Sequence, residues 1–130
     1  MNTIIEKYVS VWNSNAISDL EEVFSETSTY WDATQAGKAL EVLTSSIATT
    51  YAAFPDIVFE MVALVAAREN QYFLEWQMTG THTGAFLGHP PTGKKINLRG
   101  LDAIQVESDK IITIRSFYDS SLFSQQLGLS

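Results

Sequence analysis

Lys95-Ile-Asn-Leu-Arg-Gly-Leu-Asp-Ala-Ile-Gln-Val-Glu107, then Ser108-Asp109, then Lys110-Ile-Ile-Thr-Ile-Arg-Ser-Phe-Tyr-Asp119 read as two strands and the turn that joins them. Apolar side chains alternate with polar ones, the period of a half-buried strand, and so short a polar turn makes an antiparallel hairpin. Pairing Val106 with Ile111 across the turn sets Asp102 opposite Arg115. Because strand side chains alternate, Asp102, Ile104 and Val106 then share a face with Arg115, Phe117 and Asp119. Two aspartates are expected to look into one space.

Upstream of this hairpin, Ile57 to Ala67 and Gln71 to His82 show the same period of two. In the second run Tyr72, Leu74, Trp76, Met78 and His82 fall on one face, and Glu75, Gln77, Thr79 and Thr81 on the other. Before residue 56 the period is helical. Thr3-Ile-Ile-Glu6 has capping-box spacing, and Ile4, Ile5, Tyr8, Val11 and Trp12 continue at helical intervals, predicting a helix from about Asn2 to Asn13. Ser18-Asp-Leu-Glu21 repeats the signature for a short second helix. Thr27 to Asp32 suits a strand with Tyr30 and Asp32 on one face. Leu40, Leu43, Ile47, Tyr51 and Phe54 mark a third helix within Lys38 to Phe54, stopped by Pro55. Leu122, Phe123 and Leu127, with Gly128 beyond, predict a closing helical turn. Helices followed by a long antiparallel meander define an α+β fold, and 130 residues make one domain, residues 1–130.

Apolar residues at 45% and charged residues at 18% are ordinary for a chain that folds alone. A formal charge of −7 opposes binding to phosphate backbones, so nucleic acid is not an expected partner. There is no polybasic patch and no apolar run long enough to span a bilayer, so a membrane is not expected either. The chain has no cysteine, and its two histidines lie seven positions apart in a loop-like segment, a poor metal constellation. Metal-free, cofactor-free chemistry is the expectation. Met1-Asn-Thr-Ile-Ile-Glu-Lys-Tyr lacks the pattern of a secretory leader, so a cytoplasmic location is expected.

The candidate site residues follow from the faces. A carboxylate held on an apolar face is disfavoured as an anion, so its pKa rises toward the range where it exchanges a proton with a substrate. Asp119 reads either as such a proton carrier or as the N-cap of the closing turn. Asp102 reads as a second carboxyl of the cavity or as an ion-pair partner of Arg115. Asp32 reads as a base at the cavity mouth or as the charged end of a surface strand. Tyr8 is either a core phenol or a hydrogen-bond donor to a substrate oxygen. His82, with Trp76 and Phe86, surrounds the Gly-rich loop and reads as a proton shuttle or a solvated loop residue. Trp76 is expected in the cavity wall. Trp12, Trp31 and Arg115 could narrow or polarise the pocket, and Phe117 shares the face of Asp119. His89-Pro-Pro-Thr-Gly93 is a turn that could double as a lid, and its glycines match no phosphate-cradling spacing.

Gly80-Thr-His-Thr-Gly84, Gly88-His-Pro-Pro-Thr-Gly-Lys94, the hairpin from Asp102 to Asp119 and the Gln126-Leu-Gly128 ending resemble the SnoaL-like polyketide cyclase group. That group sits within the nuclear transport factor 2-like superfamily, with ketosteroid isomerases. The resemblance implies a curved antiparallel sheet wrapped around three N-terminal helices into a cone, a homodimer, and a pocket for an apolar small molecule. It implies general acid/base work for Asp119, in the setting Phe117-Tyr-Asp-Ser-Ser-Leu, during an intramolecular aldol closure. Similarity to ketosteroid isomerases implies Tyr8 as a donor, Asp32 as a base and Asp102 as a protonated second donor. Epoxide hydrolases of the superfamily carry an arginine and an aspartate two apart on one strand. Here Arg99 and Asp102 are three apart and face opposite sides, which departs from that pattern. The expected function is acid/base proton transfer beside a carbonyl of a polyketide- or steroid-like molecule. The alternative is a non-catalytic ligand-binding or dimeric interaction module on the same fold.

Overall fold

The computed structural model describes residues 3–129. Helix α1 (Thr3–Ser14) buries Ile5, Tyr8, Val11 and Trp12 of the stripe that its spacing predicts, leaves Ile4 half-buried, and buries Val9 as well. Asn2, the predicted start, lies outside the described residues. A single 3₁₀ turn (Ile17–Asp19) leads into a short α2 (Leu20–Val23), whose leading Asp19 makes no side-chain cap. Strand β1 (Phe24–Asp32) begins earlier than predicted, and β2 (Gln35–Lys38) was not expected at all. Every residue of β2 is exposed, so no alternation marks it. Helix α3 (Ala39–Ala53) stops at Phe54 because proline at 55 disfavours helical dihedrals in the residue before it.

The meander follows as read: β3 (Val58–Arg68), β4 (Gln71–Thr81), β5 (Lys95–Glu107) and β6 (Lys110–Tyr118), then α4 (Ser120–Leu127). Gly128 ends α4 with φ +73°, a left-handed C-terminal turn that glycine adopts without strain. Among the described residues six strands form one sheet, in the order β2-β1-β6-β5-β4-β3. All pairs are antiparallel except β1 with β6, which run parallel, so the sheet is mixed. The helices cover one face of it. There Ile5, Leu20, Phe24, Leu43, Leu74, Ile104, Ile111 and Ile114 form the main core, and a second cluster gathers Phe54, Ile57, Ile96 and Leu127. Asn13 ties α1 to β3 by donating from Nδ2 to the Phe59 carbonyl and accepting from the Phe59 amide, both at 2.7 Å. Among the described residues no helix is long and apolar enough to cross a membrane.

The register of the last hairpin corrects the sequence expectation. Val106 does pair with Ile111, but Gln105 pairs with Thr113, so Ile112 is an extra residue on β6, a β-bulge. One extra residue reverses the side-chain alternation beyond it. Asp102 therefore faces Ser116, not Arg115, and the inward row of β6 is Ile114, Ser116 and Tyr118. Arg115 and Phe117 turn to the outer face.

Candidate active site

Between the helices and the sheet lies a cavity of about 420 Å³, with Tyr8, Tyr30, Asp32, Asp102, Ser116 and Tyr118 at its polar end. Trp12, Phe59 and Trp76 stack along one wall, with ring centroids 5.7 Å and 5.4 Å apart. Phe54, Phe86 and Phe123 form an apolar end, and Ser45, Ser46, Thr49 and Thr50 of α3 add hydroxyl groups.

Asp102 sits on the inward face of β5 and is buried. Trp76 Nε1 donates to its Oδ1 at 2.9 Å. That reach depends on Gly100, which pairs directly with Trp76. A Cβ at 100 would stand 2.1 Å from Trp76 Cζ2, so only a residue without a side chain lets the indole lie across β5. Burial pushes the Asp102 carboxyl up to about 6, hydrogen bonds from Ser116 and Trp76 hold it back, and the nearby Asp32 charge raises it further.

Asp32 closes β1 in the opposite environment. Its Oδ1 accepts from the Thr34 amide and hydroxyl, each at 2.7 Å, and from the Gln35 amide at 3.1 Å, while Oδ2 accepts from the Tyr30 hydroxyl at 2.8 Å. Burial pushes this carboxyl up, but donation from Thr34, Tyr30 and Gln35 more than offsets it, leaving the pKa below the ordinary value. Asp32 is thus an anion at neutral pH. The Tyr8 hydroxyl accepts from Trp12 Nε1 at 3.1 Å, and its own proton meets no acceptor among the described residues. Burial, then the Asp102 charge, keep that phenol protonated. Tyr30 and Tyr118 are likewise pushed up by burial and by the anions around them.

The structure brings Tyr8, Asp32 and Asp102 together with Trp12, Trp76 and Phe86 around one cavity. It does not bring the other candidates there. Asp119 is exposed and accepts from the Leu122 amide at 3.1 Å as the N-cap of α4. His82 is fully buried beside the cavity rather than solvated, its ring 5.4 Å from that of Phe54. Its Nδ1 accepts from the Thr92 amide at 3.2 Å and meets the Thr92 hydroxyl at 2.9 Å, pinning the loop, while Nε2 has no partner among the described residues. Trp31, Arg115 and Phe117 lie on the outer face, where the Arg115 guanidinium sits 5.8 Å from the Phe117 ring centroid and Trp31 packs on the same ring. Ser116, Tyr118 and Thr34 are site residues that sequence reasoning did not single out. The bulge hid the first two, and Thr34 had no distinguishing signal. Tyr30 could have been found, since it shares the face of Asp32.

An α+β pouch of this kind, a sheet lined with acids and aromatics and roofed by helices, defines the class. The model of the SnoaL-like polyketide cyclase family matches residues 2–127, and the chain belongs to that family. No curated protein sequence matches it significantly. Among solved structures it is similar to AclR from Streptomyces galilaeus, described as a candidate hydroxylase, at 20% identity and TM-score 0.85 over 98% of this chain and 84% of that one. A SnoaL-like polyketide cyclase from Agrobacterium tumefaciens aligns at 20% identity and TM-score 0.76, over 98% and 97% of the two chains. A protein of ketosteroid isomerase-like fold from Catenulispora acidiphila, solved with trimethylamine, aligns at 17% identity and TM-score 0.80, over 98% and 93%. At these identities the likeness is one of fold.

Proposed function

We propose that this protein is a small cofactor-independent enzyme that moves a proton beside a carbonyl of an apolar, ring-forming or ring-bearing molecule, as in an aldol-type cyclisation or an isomerisation. The observation that carries the reading is Asp102, a buried carboxyl in the cavity wall with its pKa pushed up to about 6. A group that titrates near neutrality is matched to both taking and returning a proton. Asp32, held below the ordinary carboxyl range, is the weaker base, and its role is to hold Tyr30 and keep the polar end anionic.

In this mechanism the Asp102 carboxylate removes the proton next to the substrate carbonyl. The C–H electron pair moves into the enolate, and the Tyr8 hydroxyl donates a hydrogen bond to the developing oxygen anion. The enolate carbon then attacks a second carbonyl, whose alkoxide takes the proton from Asp102, or, in a β,γ-unsaturated ketone, the conjugated dienolate takes that proton at its γ carbon and the C=C bond moves into conjugation. The test is incubation in deuterated water with ring-bearing ketones that bind the cavity. Incorporation of deuterium beside the carbonyl, abolished by Asp102→Asn, is expected. No incorporation into any ketone shown to occupy the cavity would leave the chain a binding module.

Asp119 lies outside this machinery, so Asp119→Asn is expected to keep the exchange rate within about twofold, and, since asparagine still accepts from the Leu122 amide, to cost only the charge at the N-terminus of α4, about 0.3–1 kcal/mol. Loss of exchange in a folded Asp119→Asn protein would return the acid/base role to that residue. The homodimer implied by the family resemblance has a suitable surface in the outer patch of Trp31, Leu101 and Phe117, exposed by 42%, 40% and 43%. Phe117→Glu is expected to lower the sedimenting mass from dimer to monomer; a parent protein that sediments as a monomer would remove this assignment.

A further inference from the structure

Asp32 is buried, and every hydrogen bond that the structure gives it comes from a neutral group: the Tyr30 hydroxyl, the Thr34 amide and hydroxyl, and the Gln35 amide. Asp102 adds a second carboxyl to the same wall. Among the described residues no lysine, arginine or histidine lines the cavity, so nothing on its wall answers these acids with a positive charge. In a region screened from water the field of an unanswered carboxylate is strong, and it disfavours a guest that is itself an anion. Trp12, Tyr8, Trp76 and Tyr118 line the same space, and electron-rich rings attract alkylammonium groups through their quadrupoles. Charge and aromatic lining agree on one kind of guest, and a volume of about 420 Å³ has room for a small molecule.

We propose that the molecule this cavity takes carries a protonated or quaternary alkylamine, seated at the Asp32 end while its apolar body lies along Trp12, Phe59 and Trp76. This deepens the catalytic reading in that it uses the same cavity, and it adds a substrate class: basic, nitrogen-bearing compounds in preference to neutral or acidic ones. The Oδ2 atom of Asp32, which among the described residues accepts from Tyr30 alone, is the natural contact for the cation.

The test compares choline with 3,3-dimethylbutan-1-ol, a neutral molecule of the same shape, by titration of the isotopically labelled protein at pH 7.5 with amide shifts as the readout. Choline is expected to bind about tenfold more tightly or better, perturbing the amides around Asp32, Thr34 and Trp76. In Asp32→Asn the ratio is expected to fall toward one. Equal binding of the two probes to the unsubstituted protein overturns the proposal, as does choline binding mapped to the outer surface, and neither result depends on whether the variant folds. Deuterium exchange into a neutral ketone separates this proposal from the catalytic one. Exchange without ammonium preference refutes only the amine, and ammonium preference without exchange refutes only the catalysis.

Discussion

Asp102→Asn is expected to be more stable than the parent protein above pH 6 and to exchange substrate protons at least about 100-fold more slowly. Both effects come from one cause. In the folded state the Asp102 carboxyl titrates at about 6 against an ordinary value of 3.8, because burial disfavours its charge. The folded protein therefore holds this proton more tightly than the unfolded chain. Stability falls as pH rises from about 4 to about 6, and above that window the charged carboxylate costs the fold about 2–3 kcal/mol. Asparagine keeps an oxygen for Trp76 Nε1 and removes the charge, so the cost disappears together with the base. Urea unfolding of both proteins at pH 4 and pH 7.5 checks this: the curves should nearly coincide at the lower pH and separate in favour of the variant at the higher. Asp32 has the opposite sign. Its lowered pKa contributes stability that is present above the ordinary carboxyl range and lost as pH falls through the folded value, so the two aspartates can be told apart by pH alone. A site residue whose removal stabilises the fold is one that stability did not select, and that favours the catalytic reading of Asp102 over a structural one.

Much of the fold was legible because periodicity is a local property. Tyr8 and Trp12 fall on the buried stripe of α1, and Leu74 and Trp76 on the buried face of β4, as their spacing requires. The two-residue turn at Ser108-Asp109 fixed the pairing at the base of the last hairpin. What lay beyond was not legible, because Ile111-Ile-Thr-Ile114 is almost uniformly apolar and accepts the bulge at Ile112 in either phase. That one residue decides whether Arg115 and Phe117 or Ser116 and Tyr118 enter the cavity. The parallel pairing of β1 with β6 joins segments far apart in the chain, and no local pattern announces it. Asp119 shows a different limit. An aspartate that follows a strand and precedes a helix satisfies a cap and a catalytic motif equally well, and only its exposure and its bond to the Leu122 amide separate the two. His82 has the parity of the inward face of β4, yet it lies past the end of that strand, and its ring packs against Phe54 rather than in the cavity wall.

Gly100→Ala is expected to lower stability by about 1–3 kcal/mol and to move the proton-exchange profile to higher pH. The added methyl would stand 2.1 Å from Trp76 Cζ2 and 2.5 Å from Cε2, well inside contact distance. The indole cannot simply swing away, since its other neighbours are the rings of Phe59 at 5.4 Å and Tyr118 at 6.1 Å. Displacement withdraws Nε1 from Asp102, and that bond is one of the two that hold the carboxyl down against burial. With the donor gone the Asp102 pKa rises above its present value of about 6, and the base becomes active only at higher pH. A purely structural role for Gly100 predicts lost stability with an unmoved profile, so the pH dependence separates the two. Trp76→Phe sharpens the test. Its smaller ring lacks the atoms that the alanine methyl would strike and also lacks the indole N–H. In the double variant the packing loss should therefore be largely relieved while the displaced profile remains. Recovery of both stability and profile in the double variant would mean that Trp76 does not control the acidity of Asp102.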